Sequence, residues 1–299
     1  MTELYDILNQ NEHCYQFKHM KNSDGLFQKT IDATYVVYLE GNGRYEDLMK
    51  QLNEYHLTND VYILYNKGYK KCNKTDNIVY PAHDLVDAFF QIFKHSNEKN
   101  YENILILEDD FIFTNAIKNA THINNITNFL ITKSNEEFIY YLGCLPILSL
   151  PILDGNNTCF AIWTTGAHSV IYSKHYREKL MNSYDKNNAK DWDVMNNIFS
   201  MKKYMYGQPL CYQLCSDTEN KETWGNDAIW KQVGASILKL LIKVVRVDKQ
   251  IEPGYSICYV ISKILTLLIL ISIVWIIYMI PTMLSKKYMK AYKLKVNRR

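Results

Sequence analysis

Short apolar runs alternate with polar, helix-periodic stretches through the first two thirds of the chain. Residues 35–39 (YVVYL), 61–65 (VYILY), 104–107 (ILIL) and 138–142 (FIYYL) are β-branched or aromatic and bounded by polar sequence, which predicts buried strands. Residues 78–80 predict a further short strand, and 159–163 form another apolar stretch. Between them, Leu48, Leu52 and Tyr55 recur at helical spacing, as do Leu85, Phe89, Ile92 and Phe93 within 83–93. Residues 116–130 predict another helix, and Ser173 is placed to cap one carrying Tyr176, Leu180 and Met181. Residues 189–199 read as an acidic turn entering a helix, and 204–225 as strand, glycine turn, strand and polar loop. Strands alternating with amphipathic helices predict an α/β domain with a mostly parallel sheet.

The pattern changes at the C-terminus. Residues 264–284 (ILTLLILISIVWIIYMIPTML) contain no charge, and 21 residues of helix span roughly 31 Å, about one bilayer core. This run predicts a single membrane span. The expected organisation is a polar N-terminal segment (1–30), a catalytic domain (31–230), a basic amphipathic juxtamembrane segment (231–263), the span (264–284) and a basic tail (285–299). The tail's seven Lys and Arg favour a cytosolic C-terminus. Residues 1–24, however, are polar throughout and do not read as a signal peptide. The expectation is a catalytic domain facing the cytosol on a C-terminal anchor, with a lumenal domain as the alternative.

Charge narrows the function. The formal net charge is +3, but the tail contributes +7, so residues 1–284 are −4. A slightly acidic body lacks the electrostatic footprint of a nucleic-acid binder. The seven cysteines are scattered, and Cys211-x3-Cys215 has no partner pair for a zinc site, so reduced, mostly buried thiols are expected. Four Asn-x-Ser/Thr sequons start at Asn73, Asn119, Asn125 and Asn156, and matter only if the domain is lumenal.

The candidate chemistry follows the strand at 104–107, where Glu108, Asp109 and Asp110 sit between two apolar blocks. Carboxylates placed there need cations or hydrogen-bond donors, and a divalent metal is the simplest partner. In open α/β sheets the carboxyl end of a strand is also where ligands bind. The alternative is a solvated acidic turn.

Four blocks in order resemble glycosyltransferase family 25, which includes lipooligosaccharide and procollagen galactosyltransferases. They are YVVYLEGNGR with Arg44, ILILEDDF (104–111), TGAHSVIYSKHYREKL (165–180), and DWDVM (191–195) followed by QPLCYQLCSD (208–217). Together they cover roughly residues 34–225. Of the family's Gly-x-x-Gly-Cys…Ser-His signature, only His83 is kept, in YPAHDLVDAF.

The resemblance implies a GT-A-like, Rossmann-like nucleotide-sugar-binding domain that uses a UDP-sugar and Mn²⁺ or another divalent cation. The acceptor would be a hydroxyl on a glycan, glycolipid or protein. Asp110 would be the principal metal ligand. Glu108 would reach the metal through water or contact the ribose, and Asp109 would support the turn. Asp193 or Asp191 would act as general base, with helix capping as the alternative for both. His168 could bind acceptor, phosphate or metal, or be structural; Arg44 could pair with phosphate or lie in a surface turn. Trp192 could stack on a sugar or uracil, or pack in the core. A metal-dependent phosphoryl-transfer enzyme and an inactive membrane-anchored adaptor are the other classes. The chain lacks the P-loop pattern and a kinase-like motif set.

Overall fold

The computed structural model describes residues 2–185, 191–214, 236, 240 and 242–296, with the side chains of 2 and 282–296 excepted. A seven-stranded sheet forms its centre, in the order β1-β3-β2-β4-β7-β6-β8. The strands are β1 (Tyr15–Lys21), β2 (Ala33–Leu39), β3 (Asp60–Asn66), β4 (Asn103–Glu108), β6 (Ile139–Pro151), β7 (Thr158–Ser173) and β8 (Lys203–Tyr206). β5 (Phe111–Phe113) and β9 (Cys211–Gln213) pair separately as a small antiparallel ribbon. The sheet is mixed but mostly parallel in direction: β2 pairs in parallel with β3 and β4, and β6 with β8, while β1 and β7 run against the rest.

Two apolar layers sandwich this sheet. Tyr35, Val37, Ile104 and Ile106 point to one face, packing against α1 (Thr2–Asn11), α3 (Pro81–Glu98), α5 (Lys174–Asn182) and α6 (Trp192–Phe199). Val36, Tyr38, Leu105 and Leu107 point to the other, under α2 (Tyr45–Glu54) and α4 (Ala120–Thr132). Burial on both faces explains why β2, β3 and β4 read as unbroken apolar runs rather than alternating ones. Ser173 does cap α5, accepting from the Tyr176 amide at 3.3 Å.

Several expectations shift. The polar N-terminal segment expected at 1–30 is built into the domain: Leu4, Leu8 and Phe27 are buried, and β1 is an edge strand of the central sheet. β1 alternates partly buried and exposed positions, as one face of an edge strand must, so it lacks an apolar run. Residues 78–80 form no strand, and Val79 and Tyr80 are exposed. The expectation of uniformly reduced thiols is also corrected. Pairing of β1 with β3 sets Tyr15 opposite Asn66, which brings Cys14 beside the loop after β3, where it is disulfide-bonded to Cys72 across a Cα separation of 5.7 Å. Cys144, Cys159, Cys211 and Cys258 are free and buried; Cys215 lies outside the described residues.

Trp192 takes the core role. It is 3 % exposed, stacks on Phe89 at 4.2 Å between ring centroids, and donates its indole N–H to the Tyr172 hydroxyl at 2.8 Å. Trp192→Ala is expected to cost ~3–5 kcal/mol of stability, as for other buried large-to-small changes. Chemical denaturation of the detergent-solubilised protein reads this directly, and an unchanged midpoint would place the indole outside the core.

Helix α7 (Gly254–Val296) is continuous from the domain surface into the apolar run. Among the described residues, it is the one helix long and apolar enough to cross a membrane, over Gly254–Pro281. Its first turns belong to the domain: Tyr255, Cys258, Tyr259, Ser262 and Thr266 are buried, and from Leu267 to Tyr278 the helix is exposed. The juxtamembrane segment expected at 231–263 thus overlaps the start of α7. Ile242, Val245 and Val247 pack with Tyr255 and Leu145, and most of 231–241 lies outside the described residues.

Candidate functional site

The acidic triplet stands at the carboxyl end of β4, beside the carboxyl end of β2. The turn leaving β2 folds over it. Gly41 and Gly43 have φ of 78° and 81°, a left-handed backbone that glycine adopts without a Cβ clash, so the chain reverses tightly enough to bring Asn42 and Arg44 back to the acids. Asp109 accepts from the Leu39 amide (3.0 Å), the Asn42 side chain (2.5 Å) and the Arg44 guanidinium (2.7 Å). It therefore ties the turn to β4. Arg44 also reaches Asp110 at 2.9 Å while remaining about one-third exposed. Its pKa is raised: burial alone would lower it, but Asp110, Asp109 and Glu108 outweigh that.

Gln213 enters from β9. Its side-chain amide donates to Asp110 at 2.7 Å and to Glu108 at 3.3 Å, so one N–H₂ group bridges two carboxylates. Pairing of β9 with β5, which directly follows the triplet, fixes this approach, with Phe111 opposite Gln213. Sequence reasoning placed Gln213 inside a family-like block without giving it a role. The ribbon that brings it to the acids joins segments a hundred residues apart and leaves no local signal.

Burial pushes the Glu108 carboxyl well above the usual carboxylate range, reinforced by Asp110, Asp193 and Asp109. Burial also raises Asp110, against the lowering pull of Arg44 and Gln213. The two carboxylates are thus short of positive charge.

Asp191 and Asp193 separate cleanly. Asp191 is the N-cap of α6, accepting from the Val194 amide at 3.0 Å. Asp193 instead turns to β7, where it accepts from the Gly166 amide (2.7 Å) and the Ala167 amide (3.1 Å). Gly166, at φ 65°, supplies the bend that aims both N–H groups at one carboxylate. Burial, then Asp191, raises the Asp193 pKa to about 7, partly opposed by those two amides. The Gly166 and Ala167 amides that hold Asp193 lie on β7 just past its last pair with β4, Leu107 with Ser169, so the late acidic turn is bonded to the strand beside the one that ends in the triplet.

His168 is fully buried behind this cluster. Its Nε2 lies 3.1 Å from the Cys211 carbonyl, Nδ1 has no partner among the described residues, and burial lowers the pKa to about 4. The neutral ring donates from Nε2 and pins β9 onto β7. Gly143 makes room for it: a Cβ there would lie 2.4 Å from Nε2 and 2.3 Å from the Cys211 carbonyl oxygen. Behind His168 sits Tyr255 of α7, edge-on at 5.8 Å. The Tyr255 hydroxyl donates to the Gln213 carbonyl at 2.8 Å and accepts from the Gln213 amide at 3.2 Å. The apolar helix is therefore tied by one side chain to the residue that bridges the acids.

Glu108, Asp109, Asp110 and Asp193 place four carboxylates together, and Arg44 is the one basic side chain among the described residues that bonds to any of them. Among the described residues, the three-ligand clusters of Asp, Glu, His or Cys comprise only His13, Cys14 and Cys72, whose thiols are joined in the disulfide. A cation at the acids would thus take few protein ligands, and its remaining positions would fall to water and ligand oxygens. No protein-family model matches the chain, and no curated protein matches it in sequence.

Proposed function

We propose that this chain is a membrane-anchored, metal-dependent glycosyltransferase that moves a hexose from a UDP-sugar to a hydroxyl acceptor. The observation that carries this reading is the charge imbalance at the carboxyl end of β2 and β4: four carboxylates, three of them with raised pKa values, against one half-buried guanidinium. A divalent cation restores the balance, and an all-oxygen donor set suits a hard ion such as Mn²⁺ or Mg²⁺. Asp110 and Glu108 would hold it. When bound, such an ion neutralises charge on the departing diphosphate.

The remaining roles fall to the chain's own residues. Arg44, one-third exposed and already paired with acids, is placed to share its guanidinium with a phosphate once a cation relieves Asp110. Asp193 is the proposed general base, because it is held by two amides beside the cluster and its pKa of about 7 suits proton transfer near neutrality. Asp191 keeps the capping role. His168 and Gln213 position the ribbon and the carboxylates. The test is a screen of UDP-sugars for Mn²⁺-dependent hydrolysis by the full-length protein. Turnover of one or more donors supports the reading; no turnover and no nucleotide binding with any cation would leave the inactive adaptor.

The side of the membrane is decided by a second experiment. The sequence favours a cytosolic domain, but the Cys14–Cys72 disulfide belongs to an oxidising compartment and is the more specific observation. We therefore expect a protease-protected domain in sealed membranes, with Cys14 and Cys72 resistant to alkylation until reduced. Proteolysis of the domain from the cytosolic side, with both thiols labelled directly, would return the domain to the cytosol.

A further inference from the structure

We propose that the β6–β7 hairpin is a second membrane contact, seated in the lipid headgroup layer beside α7; this rests on α7 crossing the bilayer. The last β4–β7 pair is Leu107 with Ser169, level with Gly143 of β6. Beyond that level the two strands continue as a bulged hairpin arm to Pro151 and Cys159, and the outer end of β7 bends back onto the sheet, with Thr158, Cys159 and Phe160 opposite Tyr206, Met205 and Tyr204 of β8. The first turns of α7 lie along this arm. Tyr259 meets Cys144 at 3.8 Å, and the hydroxyls of Ser262 and Ser149 are 2.7 Å apart. Lys263 donates to the Gly207 carbonyl at 2.7 Å, and the Gly207 amide bonds the Asn157 carbonyl in the arm's turn at 2.6 Å.

Past Thr266 the helix's apolar side chains are exposed. About 20 apolar residues cross a hydrocarbon core, so counting back from Pro281 starts the span near Ser262, where helix and arm touch. The arm's end therefore lies at the depth where lipid begins.

The arm's surface fits that position. Leu153 at its turn is fully exposed, and Phe160, Ile162 and Trp163 on β7 are each about 40 % exposed. An aqueous surface gains nothing from such residues side by side, whereas the membrane interface accommodates apolar side chains and favours tryptophan. Continuity with the apolar helix selects lipid as the occupant. Tyr255, which holds Gln213, is nine residues before Ile264, or about 14 Å along the helix axis. The contact would thus keep the acid cluster close above the headgroups.

The test uses full-length protein in phosphatidylcholine/phosphatidylglycerol vesicles, with Cys215 replaced by serine. An environment-sensitive fluorophore is attached in turn at Leu153→Cys, at Ile271→Cys within the span, and at Glu98→Cys, an exposed position in the last turn of α3. Leu153 makes no buried contact, so its substitution leaves the fold intact. Nitroxide-labelled lipids are expected to quench positions 153 and 271 several-fold more than position 98. Quenching at 271 with none at 153 would overturn the proposal. If 153 is then open to aqueous iodide, the arm stands in water; if it is shielded from iodide, protein covers it, as in a pairing of two copies. Absence of quenching at 271 would remove the span, and the arm's contact with it, without touching nucleotide binding.

Discussion

Asp110→Ala is expected to reduce metal-dependent transfer or donor hydrolysis by about a thousandfold, equivalent to ~4 kcal/mol of transition-state stabilisation. Asp110 is the acid that meets Gln213 on one oxygen and Arg44 on the other, so it stands where negative charge is most in need of a cation. Loss of the side chain should not unfold the protein. Its carboxyl is held above the ordinary range by burial, and Arg44 keeps Asp109 as a partner. The melting temperature is therefore expected to stay within a few degrees of the parent's while activity vanishes. A variant that retains activity, or loses it only through unfolding, would remove Asp110 from the proposed site. Asp110→Asn is the isosteric control and should be nearly as inactive, because an amide is a far weaker ligand for a hard cation.

The second large effect is expected at Asp193. Asp193→Asn keeps the shape of the side chain but removes the proposed base, and kcat should fall by about 10²–10⁴-fold with KM for the donor little changed. The pH dependence follows from the raised pKa. A base must be ionised, so the parent's kcat should climb as pH rises through about 7 and then level off. The asparagine variant should lack that rise. The same shift acts on stability with the opposite sense. Because the folded pKa lies above the ordinary 3.8, the folded state holds the proton more tightly, and this group's contribution declines as pH rises from 3.8 to about 7. A pH–rate profile for both proteins reads the first effect. Identical profiles would leave Asp193 as a brace for the Gly166 bend.

Much of this fold is legible in the chain because β2, β3 and β4 are buried on both faces and so appear as unbroken apolar runs. The triplet could be placed at a strand's carboxyl end for the same reason. β1 was not legible: it is an edge strand whose partly buried Tyr15, Phe17 and Met20 are separated by exposed polar residues, so no apolar run appears. Nor was the Cys14–Cys72 bond, which depends on β1 pairing with β3. The site shows the same division. Two acids a residue apart in DWD look equivalent in sequence, and only the entry angle of α6 gives Asp191 to the helix terminus and Asp193 to β7. Gln213 and Tyr255 acquire meaning from a ribbon and a helix that meet late in the chain.

Binding of UDP to the full-length protein, titrated calorimetrically with and without Mn²⁺, tests the central claim most directly. The account predicts tight binding that requires the cation, is abolished by chelation, and is absent in Asp110→Ala. UDP binding of equal strength without the cation, or unchanged in Asp110→Ala, would contradict it.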